Sequence, residues 1–278
     1  MRKKILLCSL CIPAAAAVLP LIFLIAGSVT GNVEIREFLS PIIFGGDGYA
    51  VWHFPLYPTF RNFVELLLDS PEFFQMFWNT QKITVGILAG QILFGIPAAW
   101  GLACYEFSGK KMIYRIYIVL MMMPFQVTML SEYLQLKGLS LLDTHWAVIL
   151  PGMFATFTPF LIYRFFCDIP KALFEAARMD GAGEIRIFFT IGLPIGSSGI
   201  IAALLLEFLT CQSMLEEPLT FIETKSRFPL SLYLPQIDLT QAGFAVCASF
   251  VAALPAVMLF LMGQDYLEQG IVAAGVKS

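Results

Sequence analysis

Few side chains in this chain have the type and spacing to make or break covalent bonds. There are two histidines, His53 and His145, both in segments that read as loops, and no Ser/His/Asp or metal-ligand set can be assembled from the spacing. The six cysteines, Cys8, Cys11, Cys104, Cys167, Cys211 and Cys247, fall in or at the ends of apolar runs. There cysteine acts as a small hydrophobe rather than a disulfide partner, and the lone CxxC of Cys8 and Cys11 reads as packing. No GxxxxGK[ST] phosphate loop is present: Gly109-Lys110 lacks the upstream glycine and a following Ser or Thr. The chemistry left is noncovalent. It comprises a patterned segment at 175–194, suited to docking, and polar groups in apolar surroundings, Glu207 foremost, suited to hydrogen bonding.

A membrane must position these groups. Apolar residues make up 58% of the 278 residues, charged residues 13%, and mean hydropathy is +0.79, against roughly 25% charged residues in a soluble domain. A net charge of −3 with no basic, aromatic-interleaved patch gives no reason to expect nucleic acid. Six apolar runs predict spans over 5–28, 80–104, 113–136, 146–166, 197–215 and 244–262 in one transmembrane domain covering 1–278. Each can cross roughly 30 Å of hydrocarbon as a helix. Prolines 13, 20, 97, 124, 159 and 255 lie within them and predict kinks rather than ends, because neighbouring helices re-satisfy freed carbonyls. Arg2-Lys3-Lys4 before an apolar stretch has the form of a signal peptide, but the run continues to Ser28 and reads as a retained span.

Lysine and arginine set the orientation. With the N-terminus inside, the cytoplasmic segments hold Arg2, Lys3, Lys4, Lys110, Lys111, Arg115, Arg164, Lys171, Arg178, Arg186 and Lys277. The outer ones hold Arg36, Arg61, Lys137, Lys225 and Arg227, with Lys82 near the start of the second span. Eleven against five places both termini and the 168–194 loop in the cytoplasm. Within that loop Asp168 and Pro170 are good helix starters and Gly181 a good stop, predicting a helix over 169–180. Ala172, Ala176 and Met179 share one face, where small side chains admit a partner. Glu175 and Arg178 are placed to meet a partner's charges, and Asp180 could cap the helix after Gly181. Without further pattern, an amphipathic interfacial helix fits equally well.

The full pattern is Glu175-Ala176-Ala177, three residues, Gly181, nine residues, Ile191, one residue, Leu193-Pro194. It resembles the EAA loop of permease subunits in bacterial binding-protein-dependent ABC importers. Met122-Met123-Pro124-Phe125-Gln126-Val127, Leu141-Leu142-Asp143-Thr144, Phe165-Phe166-Cys167-Asp168-Ile169-Pro170, Phe228-Pro229-Leu230 and the ending Gly270…Gly275-Val276-Lys277 resemble the carbohydrate-uptake subclass. The chain is similar to the smaller six-span permease of maltose-type importers. The resemblance implies the all-α type I ABC importer permease fold in a bacterial cytoplasmic membrane. It also implies a heterodimer with a second permease, two ATPases that bind ATP and Mg, and an extracytoplasmic solute-binding protein; this chain itself carries no cofactor. It further assigns Glu175, Ala176, Ala177, Arg178, Asp180 and Gly181 to ATPase coupling, and Gly275 and Lys277 to a C-terminal tail reaching the ATPases. Two departures bear on substrate. Gln212 and Ser213 stand where many carbohydrate permeases carry Trp-Asn, and Ser131-Glu132-Tyr133 where Pro-Leu-Tyr is common.

Glu207 lies midway along the fifth span. Facing lipid, a charge there would cost at least about 2.5–3.5 kcal/mol, so it should face the bundle or a wet cavity. It could accept from sugar hydroxyls or pair with a helix of the partner permease. Gln91, Gln126 and Gln212 are uncharged versions of the same argument, suited to hydroxyl-rich substrates or to interhelical hydrogen bonds. On the outer side, Phe60, Phe63, Val64, Leu67 and Leu68 follow helical spacing, as do Arg61, Glu65 and Asp69 on another face. Trp52, Phe54, Tyr57 and Trp78 fit an interfacial aromatic belt. The loop 216–241 is placed to contact a solute-binding protein or to stand in solvent. The expected function is therefore half of the pathway of an ATP-driven carbohydrate importer, with no enzymatic chemistry of its own. The alternatives are an ion-gradient-driven transporter, which should show several paired intramembrane charges, and an ABC permease for another polar solute.

Overall fold

The computed structural model describes residues 2–44, 54–234 and 239–275; Trp52, His53 and Lys277 lie outside them. The described residues contain no β-strand. In chain order the helices are α1 Arg2–Ser28, α2 Asn32–Phe44, α3 Arg61–Val64, α4 Pro71–Gly90, α5 Ile96–Cys104, α6 Lys110–Met122, α7 Phe125–Gly138, α8 Trp146–Met153, α9 Phe157–Cys167, α10 Lys171–Met179, α11 Glu184–Ile187, α12 Leu193–Ser213, α13 Glu216–Phe221, α14 Leu230–Tyr233 and α15 Ala242–Gly275. Among the described residues five stretches are long and apolar enough to cross a membrane: Leu10–Ser28, Pro71–Cys104, Trp146–Cys167, Glu184–Ser213 and Ala242–Glu268. The pair α6 and α7 makes a sixth if counted as one span. The second and fifth spans thus begin nine and thirteen residues before the apolar runs that announced them, because the helices continue through the mixed polar and apolar residues ahead of those runs.

Proline position decides which spans continue. Pro97 and Pro194 each follow a wide π-type turn, Gln91–Gly95 and Phe188–Gly192, by two residues. A proline ring collides with the carbonyl four residues back and offers it no N–H; widening the preceding turn moves that carbonyl aside. Pro13, Pro20 and Pro255 lie inside continuous helices. Pro124 behaves differently. Expected to kink one span over 113–136, it separates α6 from α7 with a bend of 101°. Met123 and Pro124 are both extended, with ψ of 121° and 149°, as the residue before proline is driven from the helical region and no wide turn absorbs the ring.

The chain divides into two compact units, Met1–Phe77 with Leu232–Leu254 and Trp78–Ser231 with Pro255–Ser278. In the first, Asn32 Oδ1 accepts the N–H of Phe244 in the opening turn of α15 at 3.1 Å, and Asn62 Nδ2 donates to the Thr30 carbonyl at 2.8 Å. The expected outer helix runs through α3 into a wide turn, Glu65–Asp69. Asn62 and Leu66 bury, whereas Phe60, Val64, Leu67 and Leu68 remain exposed.

In the second unit, α5, α9 and α12 enclose a core of Ile96, Ala99, Trp100, Ile162, Phe166, Ile187, Ile200 and Ala203. α4 lies so close to α8 that a Cβ on Gly90 would fall 2.3 Å from Met153.

Candidate functional site

The patterned loop forms α10, a nine-residue helix bounded by two turns. Its bounds correct the sequence reading at both ends. Asp168 closes α9 rather than opening α10, and Pro170 takes the N-cap position without a side-chain hydrogen bond. Asp180 closes α10, while Gly183 precedes α11, so Asp180 does not cap the next helix. Gly181 has φ +81°. Its N–H donates to the Arg178 carbonyl, and the Ala182 N–H to the Ala177 carbonyl, both at 3.0 Å. This paired closure needs a left-handed residue, which glycine supplies without strain.

One face of α10 is anchored and the other open. Phe174 is buried beside Trp100, whose ring meets Phe174, Phe166 and Phe188 at centroid distances of 5.2, 5.1 and 5.5 Å. Gly192 makes room for that indole: a Cβ there would lie 2.4 Å from the Trp100 ring. A single aromatic plug therefore ties α10 to α5, α9 and the wide turn before α12. Such edge-to-face contacts add about 0.5–1.5 kcal/mol each beyond burial. Ala172, Glu175, Ala176 and Met179 are exposed, Met179 at 88%, and Ala177 is half-buried. Arg178 was expected to meet a partner's charge but is engaged within the chain. It donates from Nε and Nη2 to Glu184 at 2.7 and 3.2 Å.

The four polar pathway candidates each take different hydrogen-bond partners. Glu207 is buried and accepts from the Thr158 hydroxyl at 2.6 Å, so its neighbour is this chain's own fourth span. Gln212 donates to Thr84 Oγ1 at 3.5 Å and accepts from Gln81 at 3.4 Å. Gln126, exposed at the start of α7, donates to Glu216 at 2.6 Å. Gln91 is fully buried and donates to the carbonyls of Gly152 and Ala155 at 2.9 and 3.1 Å. Pro159 lacks the N–H that would serve the Ala155 carbonyl four residues back, and Gln91 serves it instead. Thr80, Thr84, Ile87 and Gln91 fall on one buried stripe of the second span. That i, i+4, i+7, i+11 spacing was a signal the reading of single glutamines passed over.

A latch that the sequence reading missed lies beside Asn79, which precedes Trp100 by roughly 32 Å of helix at 1.5 Å per residue. Asp143 Oδ1 accepts the backbone N–H groups of Glu223 and Thr224 at 3.0 and 2.8 Å, and Oδ2 accepts the Thr224 hydroxyl at 2.7 Å and Arg227 Nη1 at 2.6 Å. Arg227 also donates to the Asp143 carbonyl. The Thr224 hydroxyl and N–H, with further help from Glu223 and Arg227, hold the Asp143 carboxyl below the usual carboxylate range. His145 donates a ring N–H to the Arg227 carbonyl at 3.2 Å, and partial burial pushes its pKa below the ordinary histidine value. Asn79 reaches the carbonyls of Ser226 and Phe228 at 2.8 and 3.2 Å. The 216–241 segment is thus no plain loop: α13, a short turn over Lys225–Arg227 and α14 are ordered within it. No group of His, Cys, Asp or Glu able to hold a metal occurs among the described residues.

An apolar helical bundle with five to six membrane-length stretches among the described residues, and an anchored, outward-facing helix between two of them, is the architecture of a multi-pass membrane protein. Residues 91–273 match the family of binding-protein-dependent transport system inner membrane components, and the chain belongs to that family. It is similar to the arabinooligosaccharides transport system permease protein AraQ of Halalkalibacterium halodurans, 29% identical over 95% of this chain and 92% of that one. It is also similar to the sn-glycerol-3-phosphate transport system permease protein UgpE of Agrobacterium fabrum, 25% identical over 89% and 88%. Among solved structures, a bacterial ABC transporter involved in the import of the acidic polysaccharide alginate shares the fold, with a TM-score of 0.77 and 21% identity over 95% of both chains.

Proposed function

We propose that this chain forms half of the translocation pathway for an oligosaccharide, opened alternately to each side by partner ATPases acting through α10. The observation that carries the reading is the two-faced character of α10, with Phe174 locked into a core shared by three spans and Ala172, Ala176 and Met179 open to a partner. Glu175 and Gly181 stand at its exposed surface. AraQ's arabinooligosaccharides and the family's dependence on a binding protein support carbohydrate import. Both termini and α10 are taken as cytoplasmic from the charge distribution. The partners are a second permease, two ATPases and an extracytoplasmic binding protein. The C-terminal tail, Gly275 and Lys277, is proposed to reach the ATPases. The polar stripe of the second span and Glu207 stiffen the pathway walls, with Gln126 and Gln212 the candidates for substrate contact.

UgpE supports a second reading, a small phosphorylated polyol as substrate. Co-purification from native membranes in mild detergent tests both. Recovery of an ATPase, a second permease and a solute-binding protein supports the importer, and the ligand of that binding protein chooses between sugar and phosphorylated polyol. Recovery of the chain alone, with solute uptake in liposomes driven by an ion gradient, would overturn both readings.

A further inference from the structure

Glu184, outside the recognised loop residues, gathers three separate segments onto one carboxylate. Arg178, in the last turn of α10, donates to it with two nitrogens. Tyr105, the residue that follows α5, donates its hydroxyl to Glu184 Oε2 at 3.0 Å. Glu184 itself opens α11, which leads through the wide turn into α12. The turn bearing Tyr105 is stiffened in its own right. Lys110 Nζ donates to the Tyr105 carbonyl at 2.9 Å and to Glu106 Oε1 at 3.2 Å, and Gly109 closes the turn at φ +87°. Glu106 also lies 3.8 Å from Lys171, the first residue of α10. The connection between the second span and α6 therefore meets α10 directly at its start and, through Glu184, at its last turn.

These contacts are exposed: the Arg178 and Glu184 side chains retain 41% and 44% of their accessible surface. Exposed pairs contribute little to stability, so their consequence here is geometric. The aromatic plug beneath α10 fixes its depth, but edge-to-face rings have no charge or directed donor to prevent rotation about that anchor. A guanidinium fork on a carboxylate does fix direction. We propose that Glu184 is a positioning residue that couples α10, the end of α5 and the start of α11 into one moving body, with Tyr105 as its strut. A push on α10 is then delivered to the second and fifth spans together rather than spent in rotating the helix.

The inference rests on α10 being the element that an ATPase moves. The test uses the whole transporter, with its second permease, ATPases and binding protein, in liposomes, scoring solute taken up per ATP hydrolysed. Glu184→Ala should assemble normally and hydrolyse ATP, yet lower that ratio by about 2- to 30-fold, the span of effects of mutations in coupled networks. Tyr105→Phe, which deletes one hydroxyl, should lower it less. Glu184→Gln, whose amide oxygen still accepts from Tyr105, should recover part of the loss. The double variant Tyr105→Phe/Glu184→Ala should be no worse than Glu184→Ala alone. A wild-type ratio in Glu184→Ala, or fully additive losses in the double variant, would overturn the strut. Should Glu184→Ala fail to assemble, Tyr105→Phe decides: a lowered ratio supports the strut and an unchanged one removes it. Gly181→Trp separates the layers. If it uncouples while Glu184→Ala does not, the strut alone fails; if it transports normally, the role of α10 itself fails.

Discussion

The two ends of the second span adjoin opposite kinds of anchor, the far one through Asn79, which donates to the carbonyls of Ser226 and Phe228. At the α10 end the anchor is apolar and internal: Phe174 packs against Trp100, and the polar contacts with Glu184 lie exposed above it. At the far end the anchor is polar and directed, with Asp143 accepting from two backbone N–H groups, a hydroxyl and a guanidinium. Apolar packing is non-directional and lets an element shift as a body while remaining buried, whereas several converging hydrogen bonds to one carboxylate fix orientation. Under the proposed function the α10 end is the one that a partner moves, while the Asp143 end holds two connections of this chain in register.

Variants that break one end without the other test this contrast. The largest effect is expected from Gly181→Trp. A non-glycine residue at φ +81° bears about 1–2 kcal/mol of strain, and nothing lies within 4 Å of a Cβ added there. The indole therefore projects into the open surface; membrane insertion should persist while uptake falls by more than about tenfold, equivalent to ~1.4 kcal/mol. Full uptake would show that this end is not the moving one. Phe174→Ala should come next, costing about 3–5 kcal/mol if its cavity does not collapse. Thermal denaturation of the purified complex would measure it, and a small change would mean that the plug is not the anchor.

At the other end, Asp143→Asn should weaken the latch in a pH-dependent way. A carboxyl with a depressed folded pKa contributes fully above its unfolded value, about 4, and loses that contribution as pH falls through the folded value. The native chain should therefore lose stability on acidification below about pH 4, and the variant should show a flatter acid limb in melting curves. Identical limbs would dismiss the latch. The smallest effect belongs to Gln91→Leu, which removes the donor to the Ala155 carbonyl freed by Pro159. Interhelical polar contacts in bilayers average about 0.6 kcal/mol, with a maximum near 1.7. Reversible unfolding in detergent would detect a loss of that size, and a gain in stability would show that Gln91 does not brace the fourth-span break.

Much of the α10 end was legible in order of residues, because glycine and proline act locally. Gly181 announced a stop, and Ala172, Ala176 and Met179 a shared face with small side chains, each from residue type and spacing. The caps were misread at Asp168 and Asp180, since a short polar side chain beside two helices can terminate one or open the other. The Asp143 latch was not legible, although Leu141-Leu142-Asp143-Thr144 stood out as a resemblance. Its partners lie some eighty residues on, and no periodicity links two connections so far apart. Glu207 was rightly kept from lipid by its charge, but the hydroxyl of Thr158 was hidden among apolar residues of another span.

By itself the sequence determined that this chain is apolar enough to span a membrane several times and carries, between two spans, a helix with a face of small side chains. Hydrophobic runs, helical periodicity and backbone-restricted residues express themselves within a few turns of chain and so can be read in one dimension. Only the tertiary structure decided that Pro124 divides its span while Pro97 and Pro194 are absorbed by wide turns, that Arg178 turns inward to Glu184 and Tyr105, and that Asp143 clamps a distant connection. Those outcomes depend on which donors and acceptors arrive together once the spans pack, because in a bilayer a buried polar group has only the partners that packing brings to it.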